Sequence, residues 1–110
     1  MTMEAQIQHL IDKFTEKVEK DPEMKKEIEP LKKTLNFDLG EEKYSMKLEN
    51  AAISEFKAEL IENADVTVIT TAEHFQQLLD GDLRPMKAYL TKKISIKGKI
   101  QDLMFLKKFL

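Results

Sequence analysis

Few side chains in this chain of 110 residues could make or break a covalent bond. There is no cysteine, so a thiol nucleophile, a disulfide frame and a Cys-based metal site are all excluded. The two histidines are His9 and His74; His74 follows Glu73, and neither has a second ligand at the spacing a metal site needs. Glu41 and Glu42 follow Gly40 in a turn and do not form a catalytic dyad. A Gly-rich phosphate loop, a serine nucleophile elbow and a dinucleotide fingerprint are likewise missing. What the chain has in surplus is apolar side chains at helical spacing, and the chemistry those offer is shelter from water. Residues 65–106 carry Phe75, Leu78, Leu79, Leu83, Met86, Leu90, Leu103, Met104 and Leu106, more than the helices of a small core require. As a set they are expected to line an apolar cavity, although each alone could be ordinary core packing. A dry cavity needs no special residue, because moving a hydrocarbon chain out of water gains about 0.8 kcal/mol per CH₂. Methionine suits such a lining, being unbranched and adaptable.

These side chains need elements to hold them. At the start, Ile7, Leu10, Ile11, Phe14 and Val18 recur at spacings of three and four, which predicts a helix with one apolar stripe. Asp21-Pro22 restarts a helix, with Asp as cap and Pro in the first turn, and Pro30 should end it near Glu29. From Leu35 the period becomes two: Leu35, Phe37 and Leu39, a turn at 40–42, then Tyr44, Met46 and Leu48. That predicts a hairpin with one face buried and one wet. Residues 52–60 alternate less cleanly because Ile53 falls on the wrong face, so a bulge is expected nearby. Residues 65–71 are rich in β-branched side chains, as a central strand should be.

Thr70 and Glu73 fit a capping box for the next helix, and Gly81 suits the left-handed residue that ends it. A second short helix should open at Pro85 and present Met86, Tyr89 and Leu90, followed by a strand through Ile94 and Ile96 that breaks at Gly98. The end of the chain, with Leu103, Met104, Phe105, Leu106, Phe109 and Leu110, is apolar nearly all round, and a helix there must be covered by core, partner or ligand.

Composition limits the remaining options. At 42% hydrophobic and 35% charged, the chain is of ordinary globular type, and its length suits one domain spanning 1–110. The net charge of -2 is unevenly spread: residues 36–83 hold three Lys against eleven acidic residues, whereas 84–110 hold seven Lys and one Arg against one Asp. The basic quarter, with Lys92, Lys93, Lys97, Lys99, Lys107 and Lys108, is either a solvated face or a surface for transient contact with an anionic membrane. With a mildly acidic whole and no aromatic-rich strand motif, no nucleic-acid partner is expected. No apolar run reaches the length of a membrane span, and the N-terminus lacks the layout of a secretion signal, so a cytoplasmic protein is expected. The Lys/Glu-rich, cysteine-free composition points towards a prokaryotic and heat-adapted source.

The run ADVTVITTAEHFQQLLDGDLRPMKAYLTKKISIKGKI, residues 64–100, closely resembles the sterol carrier protein type 2 domain. The matching positions are Ala64, Asp65, Val66 and Thr67 in an "A-D-hydrophobic-T" strand, then Gly81, Pro85, Ala88 and Tyr89 in "G-x-x-x-P-x-x-A-[FY]". Lys93, Ile94, Ile96 and Gly98 match the final "K-[LI]-x-[IV]-x-G" strand. The order of elements in the first half agrees too, so the resemblance spans essentially the whole chain. It implies an α+β fold: a five-stranded, mostly antiparallel sheet covered on one face by helices, enclosing an apolar tunnel for fatty-acyl chains, acyl-CoA, sterols or similar lipids. It implies no catalysis and no cofactor. Two positions depart from the pattern. Lys92 stands where relatives often have Gly, in a place that calls for a left-handed backbone, and Lys99 stands where Asp or Asn is common. Lys99 adds positive charge near the expected mouth, which weighs against a neutral sterol.

Two readings follow. The first is a lipid-binding or lipid-transfer module, monomeric or weakly dimeric, without enzymatic activity. The second is an accessory subunit of a lipid- or quinone-pathway complex that holds a partner through the same apolar groove.

Overall fold

The computed structural model describes residues 3–99. The chain begins with two helices, α1 (Glu4–Lys20) and α2 (Pro22–Ile28), continues through strands β1 (Lys33–Asp38), β2 (Lys43–Glu49), β3 (Ala52–Lys57) and β4 (Val66–Ile69), then helices α3 (Ala72–Asp80) and α4 (Pro85–Leu90), and returns as β5 (Ser95–Lys97). The five strands form one sheet in the order β3-β2-β1-β4-β5. Every neighbouring pair is antiparallel except β1 with β4, so the predicted sheet is present with one parallel join at its centre.

The apolar periodicities produce this layout. Ile7, Ile11, Phe14 and Val18 of α1 are all buried, with Leu10 half-covered at the stripe's edge. Asp21 caps α2 by accepting from the Met24 N–H at 3.1 Å, Pro22 occupies the first turn, and the helix stops at Ile28 just ahead of Pro30. Along β1 and β2, Leu35, Phe37, Tyr44, Met46 and Leu48 face the helices and are buried. The first turn of α1 is tied to this hairpin through Glu42, whose Oε1 accepts from the Met3 N–H at 2.7 Å and from the Tyr44 hydroxyl. Those two bonds, the hydroxyl first, hold the Glu42 carboxyl below the usual carboxylate range.

Burial, seconded by Glu42, pushes the Tyr44 hydroxyl up to about 12. An exposed tyrosine ionises at about pH 10. The folded state therefore holds the proton more tightly, and the contribution of Tyr44 is complete below about pH 10 and lost as pH rises through its folded value. A Tyr44→Phe chain should lose its urea midpoint less steeply than the parent across that alkaline window; matching slopes would contradict this.

The predicted bulge lies in β3. Between Ser45 and Lys47 of β2, β3 runs from Lys57 to Ser54, one residue more than its partner, and Glu55 takes a left-handed φ of 53°. The extra residue puts Ile53 and Phe56 together against the core, which resolves the broken alternation. The β2–β3 connection is a two-residue loop, Asn50 and Ala51, with φ of 54° and 60°, the primed geometry that matches strand twist.

The expectation of a fully wet second face fails at the sheet centre. Asn36 and Ser45, directly opposite one another on β1 and β2, are both buried on that face. Residues 58–65 carry the chain from β3 across β2 and β1 to β4, and Asn36 pins this crossover: its Nδ2 donates to the Ile61 carbonyl and its Oδ1 accepts from the Ile61 N–H, both at 2.9 Å. At the far end of the crossover Asp65 Oδ2 accepts from the Thr34 N–H at 2.9 Å and its hydroxyl at 3.1 Å, while the Asp65 N–H donates back to Thr34 Oγ1. The Asp65 of the sequence motif is thus a clamp that seats β4 parallel to β1.

Candidate functional site

Helices α3 and α4 hang from the end of β4 and, with the loop between them, carry six of the nine side chains expected to line a cavity. The cap of α3 is Thr71, whose hydroxyl accepts from the His74 N–H at 3.1 Å. This is one residue later than the capping box predicts. Thr70 is drawn away because its hydroxyl donates to the Lys93 carbonyl at 3.0 Å, fastening the segment ahead of β5 to the end of β4. Gly81 ends α3 with φ 83°, as expected, and the Asp82 and Leu83 N–H groups both donate to the Gln77 carbonyl. This tight reversal turns Leu83 back towards the core and lets Pro85 begin α4.

The expected lining side chains fall into two layers. Phe75, Leu78 and Leu83 are buried in the core, Phe75 meeting Phe37 of the sheet edge to face with ring centroids 5.6 Å apart. Leu79 is half-buried on the flank of α3. On α4 the face that packs inward belongs to Ala88, fully buried, and this leaves Met86 and Tyr89 38% exposed and Leu90 73% exposed. Leu103, Met104 and Leu106 lie outside the described residues.

Two grooves open beside these layers. One, of about 500 Å³, runs between the end of α4 and β5 and is lined by Tyr89, Leu90, Lys92, Ile94, Ser95 and Ile96. Ile94 is buried at its floor and Ile96 half-buried on the strand. The wall is shaped by Lys92, which adopts the left-handed conformation expected from the sequence, with φ 61°. Past it the Lys93 N–H donates to the Ala88 carbonyl at 2.8 Å, folding the chain under the end of α4. Since left-handed backbone costs a side-chain-bearing residue about 1 kcal/mol or more and glycine little, Lys92→Gly should stabilise the fold by roughly 0.5–1 kcal/mol after glycine's greater freedom in the unfolded chain is counted. Urea denaturation checks this; a destabilised variant would contradict it.

The other groove, of about 430 Å³, lies between α1 and α3. Leu10, Phe14 and Leu79 give it an apolar floor, and His9, Lys13, Lys17, Gln76 and Asp80 are among its polar rim. The sequence assigns Leu10 and Phe14 to the core and the rim to a solvated face, because nothing in one helix's periodicity reveals the gap to a neighbouring helix. For the α4–β5 groove a signal exists: Ile94 and Ile96 alternate soon after Leu90, although only Leu90 figures among the expected lining.

His9 lies on the rim of the α1–α3 groove, and His74, half-buried on α3, has a shielded Nδ1 without a hydrogen-bond partner among the described residues. Among the described residues no group of three or more His, Asp or Glu could hold a metal ion, and no helix is long and apolar enough to cross a membrane. The α4–β5 groove offers an apolar surface with Lys92 at its edge.

Residues 11–110 match the model of the SCP-2 sterol transfer family. The chain belongs to that family. No curated protein matches it by sequence. Solved structures share its fold at low identity. A conserved hypothetical protein from Thermus thermophilus, described as possibly a sterol carrier protein, is 20% identical with a TM-score of 0.68, over 98% of this chain and 81% of that one. Palmitated SCP2L2 from Aedes aegypti is 18% identical with a TM-score of 0.62, over 90% and 88%. The stereoselective inverting sec-alkylsulfatase Pisa1 from Pseudomonas sp. is 20% identical with a TM-score of 0.65, over 78% of this chain. This SCP-2 family chain spans only 14% of the sulfatase's length, so the fold there forms one part of a much larger enzyme.

Proposed function

We propose that the chain is a non-catalytic lipid carrier that shelters the hydrocarbon tail of a fatty-acyl or similar lipid at the α4–β5 groove. The observation that carries this reading is the groove itself: about 500 Å³ beside β5, with Leu90, Tyr89, Ile94 and Ile96 along it and a lysine at its edge. That volume falls in the range of roughly 300–1,000 Å³ typical of small-molecule sites. Membership of the SCP-2 sterol transfer family and the palmitated fold neighbour support a lipid as cargo. Phe75, Leu78, Leu79, Leu83 and Met86 do not border this groove, and Leu79 floors the α1–α3 groove; they are kept as further lining candidates on the strength of the sequence. Leu103, Met104 and Leu106 are kept as lining residues on the strength of the sequence alone. Apolar burial supplies the affinity at about 0.8 kcal/mol per CH₂, and the Lys92 ammonium favours an anionic head over a neutral sterol.

Titration with a fluorescent long-chain fatty acid tests this. The parent chain should bind and release it to unlabelled fatty acid, whereas Ile96→Trp, which fills the groove from β5, should weaken binding at least tenfold while keeping the fold. Equal affinity in the two proteins would move the tail elsewhere and defeat the reading.

A further inference from the structure

The surface around α4 has a composition that neither packing nor a tail-binding groove requires. Leu90 is the most exposed large apolar side chain among the described residues, at 73%, and Met86 and Tyr89 stand beside it at 38% each. Spacings of three and four put these three on one side of the helix. Around them Arg84, Lys87, Lys92, Lys93 and Lys97 are all exposed. None of these five cations has an ion-pair partner among the described residues, in contrast to Lys20, Lys32, Lys43, Lys47 and Lys57, which do. No acidic residue occurs from Leu83 to Lys99; Asp80 and Asp82, at the end of α3, are the nearest in sequence on the N-terminal side. On α1 and α2 the cations are interleaved with acids, as where Lys25 and Lys26 lie between Glu23 and Glu27.

An apolar tip ringed by unpaired cations fits one environment better than bulk water: a bilayer whose headgroups are anionic. The tip enters the interface while the lysine stems lie along it with their ammonium groups at phosphate level. We propose that α4 and the start of β5 form a membrane-docking face that seats the protein on anionic bilayers, with Leu90, Met86 and Tyr89 inserted and Arg84, Lys87, Lys92, Lys93 and Lys97 on the phosphates. This rests on the lipid-binding reading for its cargo, but the surface is read directly from exposure and charge. The two fit together because Leu90, Tyr89 and Lys92 also border the α4–β5 groove, so docking brings the groove's mouth to the bilayer and a tail can cross without entering water. Each cation near an anionic surface is worth roughly fivefold in partitioning, and the attraction fades within a Debye length of about 10 Å, so strong salt dependence follows.

Co-sedimentation of the full chain with vesicles of phosphatidylcholine alone, and of phosphatidylcholine mixed with phosphatidylglycerol, tests the proposal. Binding to the mixed vesicles should exceed binding to the neutral ones at least tenfold and collapse at high salt. Lys87→Glu with Lys93→Glu, neither of which lines the groove, should abolish vesicle binding and leave fatty-acid affinity in vesicle-free buffer within twofold. Lys25→Glu with Lys26→Glu, the same charge change on α2, should retain most vesicle binding, with thermal melts confirming that each variant is folded. Leu90→Ser should weaken binding to the mixed vesicles. Equal binding to both vesicle types, or equal losses from the α2 and α4 reversals, would overturn the docking face whether or not the fatty acid binds. Failure to bind either vesicle, with a stoichiometric protein held on this surface instead, would assign it to a protein partner and overturn it as well.

Discussion

Phe75→Ala should cost the fold about 3–5 kcal/mol, the largest loss expected from any single truncation on α3. The ring is fully buried and meets Phe37 edge to face, and Phe37, itself fully buried, stands on β1 at the centre of the sheet. Removing it takes away apolar area, an aromatic pair worth about 0.5–1.5 kcal/mol beyond that area, and the only buried aromatic of α3. The ring it packs on cannot move in easily, because Phe37 is held in β1 between β2 and β4. Urea denaturation of the two chains measures the difference. A loss below about 1 kcal/mol would contradict tight packing at this position and put the ring on the wall of a void instead.

Asn36→Ala should cost about 2–3 kcal/mol, more than its small side chain suggests, because it orphans the Ile61 N–H and carbonyl together. The damage should also be local. With the pin gone, residues 58–65 are held chiefly by the Thr34–Asp65 clamp, so the Ile61 amide should exchange with solvent far faster while amides in the β1–β2 ladder slow or quicken only with global stability. Asn36→Asp keeps an acceptor for the Ile61 N–H but loses the donor, and should fall between. Unchanged exchange at Ile61 in the alanine variant would show that the crossover does not depend on this bracket.

These two positions show what could be read from the residues and what could not. Phe75 is visible as part of an i, i+3, i+4 stripe, as are the α1 residues, and local chemistry marks Asp21, Gly81, Pro85 and the left-handed Lys92 one by one. Even the β3 bulge is signalled by Ile53 falling out of phase. Asn36 is different. A polar residue alternating with Leu35 and Phe37 reads as solvent-facing, and only the path of residues 58–65, which the alternation of 52–60 does not foretell, turns it into a buried anchor. The Thr70–Thr71 ambiguity has the same origin, since a bond from Thr70 to the distant Lys93 carbonyl decides which threonine caps α3. For the site, sequence marks the apolar surplus on α3 and α4 but not its division into inner and outer layers. That division follows from Ala88, which takes the buried side of α4 and leaves Leu90 outward.

The most direct test of lipid carriage is native mass spectrometry of the chain purified without detergent or added lipid, repeated after incubation with a long-chain fatty acid. One acyl lipid per chain is expected, seen as a discrete mass increment that disappears on denaturation. A chain that remains at its bare mass in both states would contradict it.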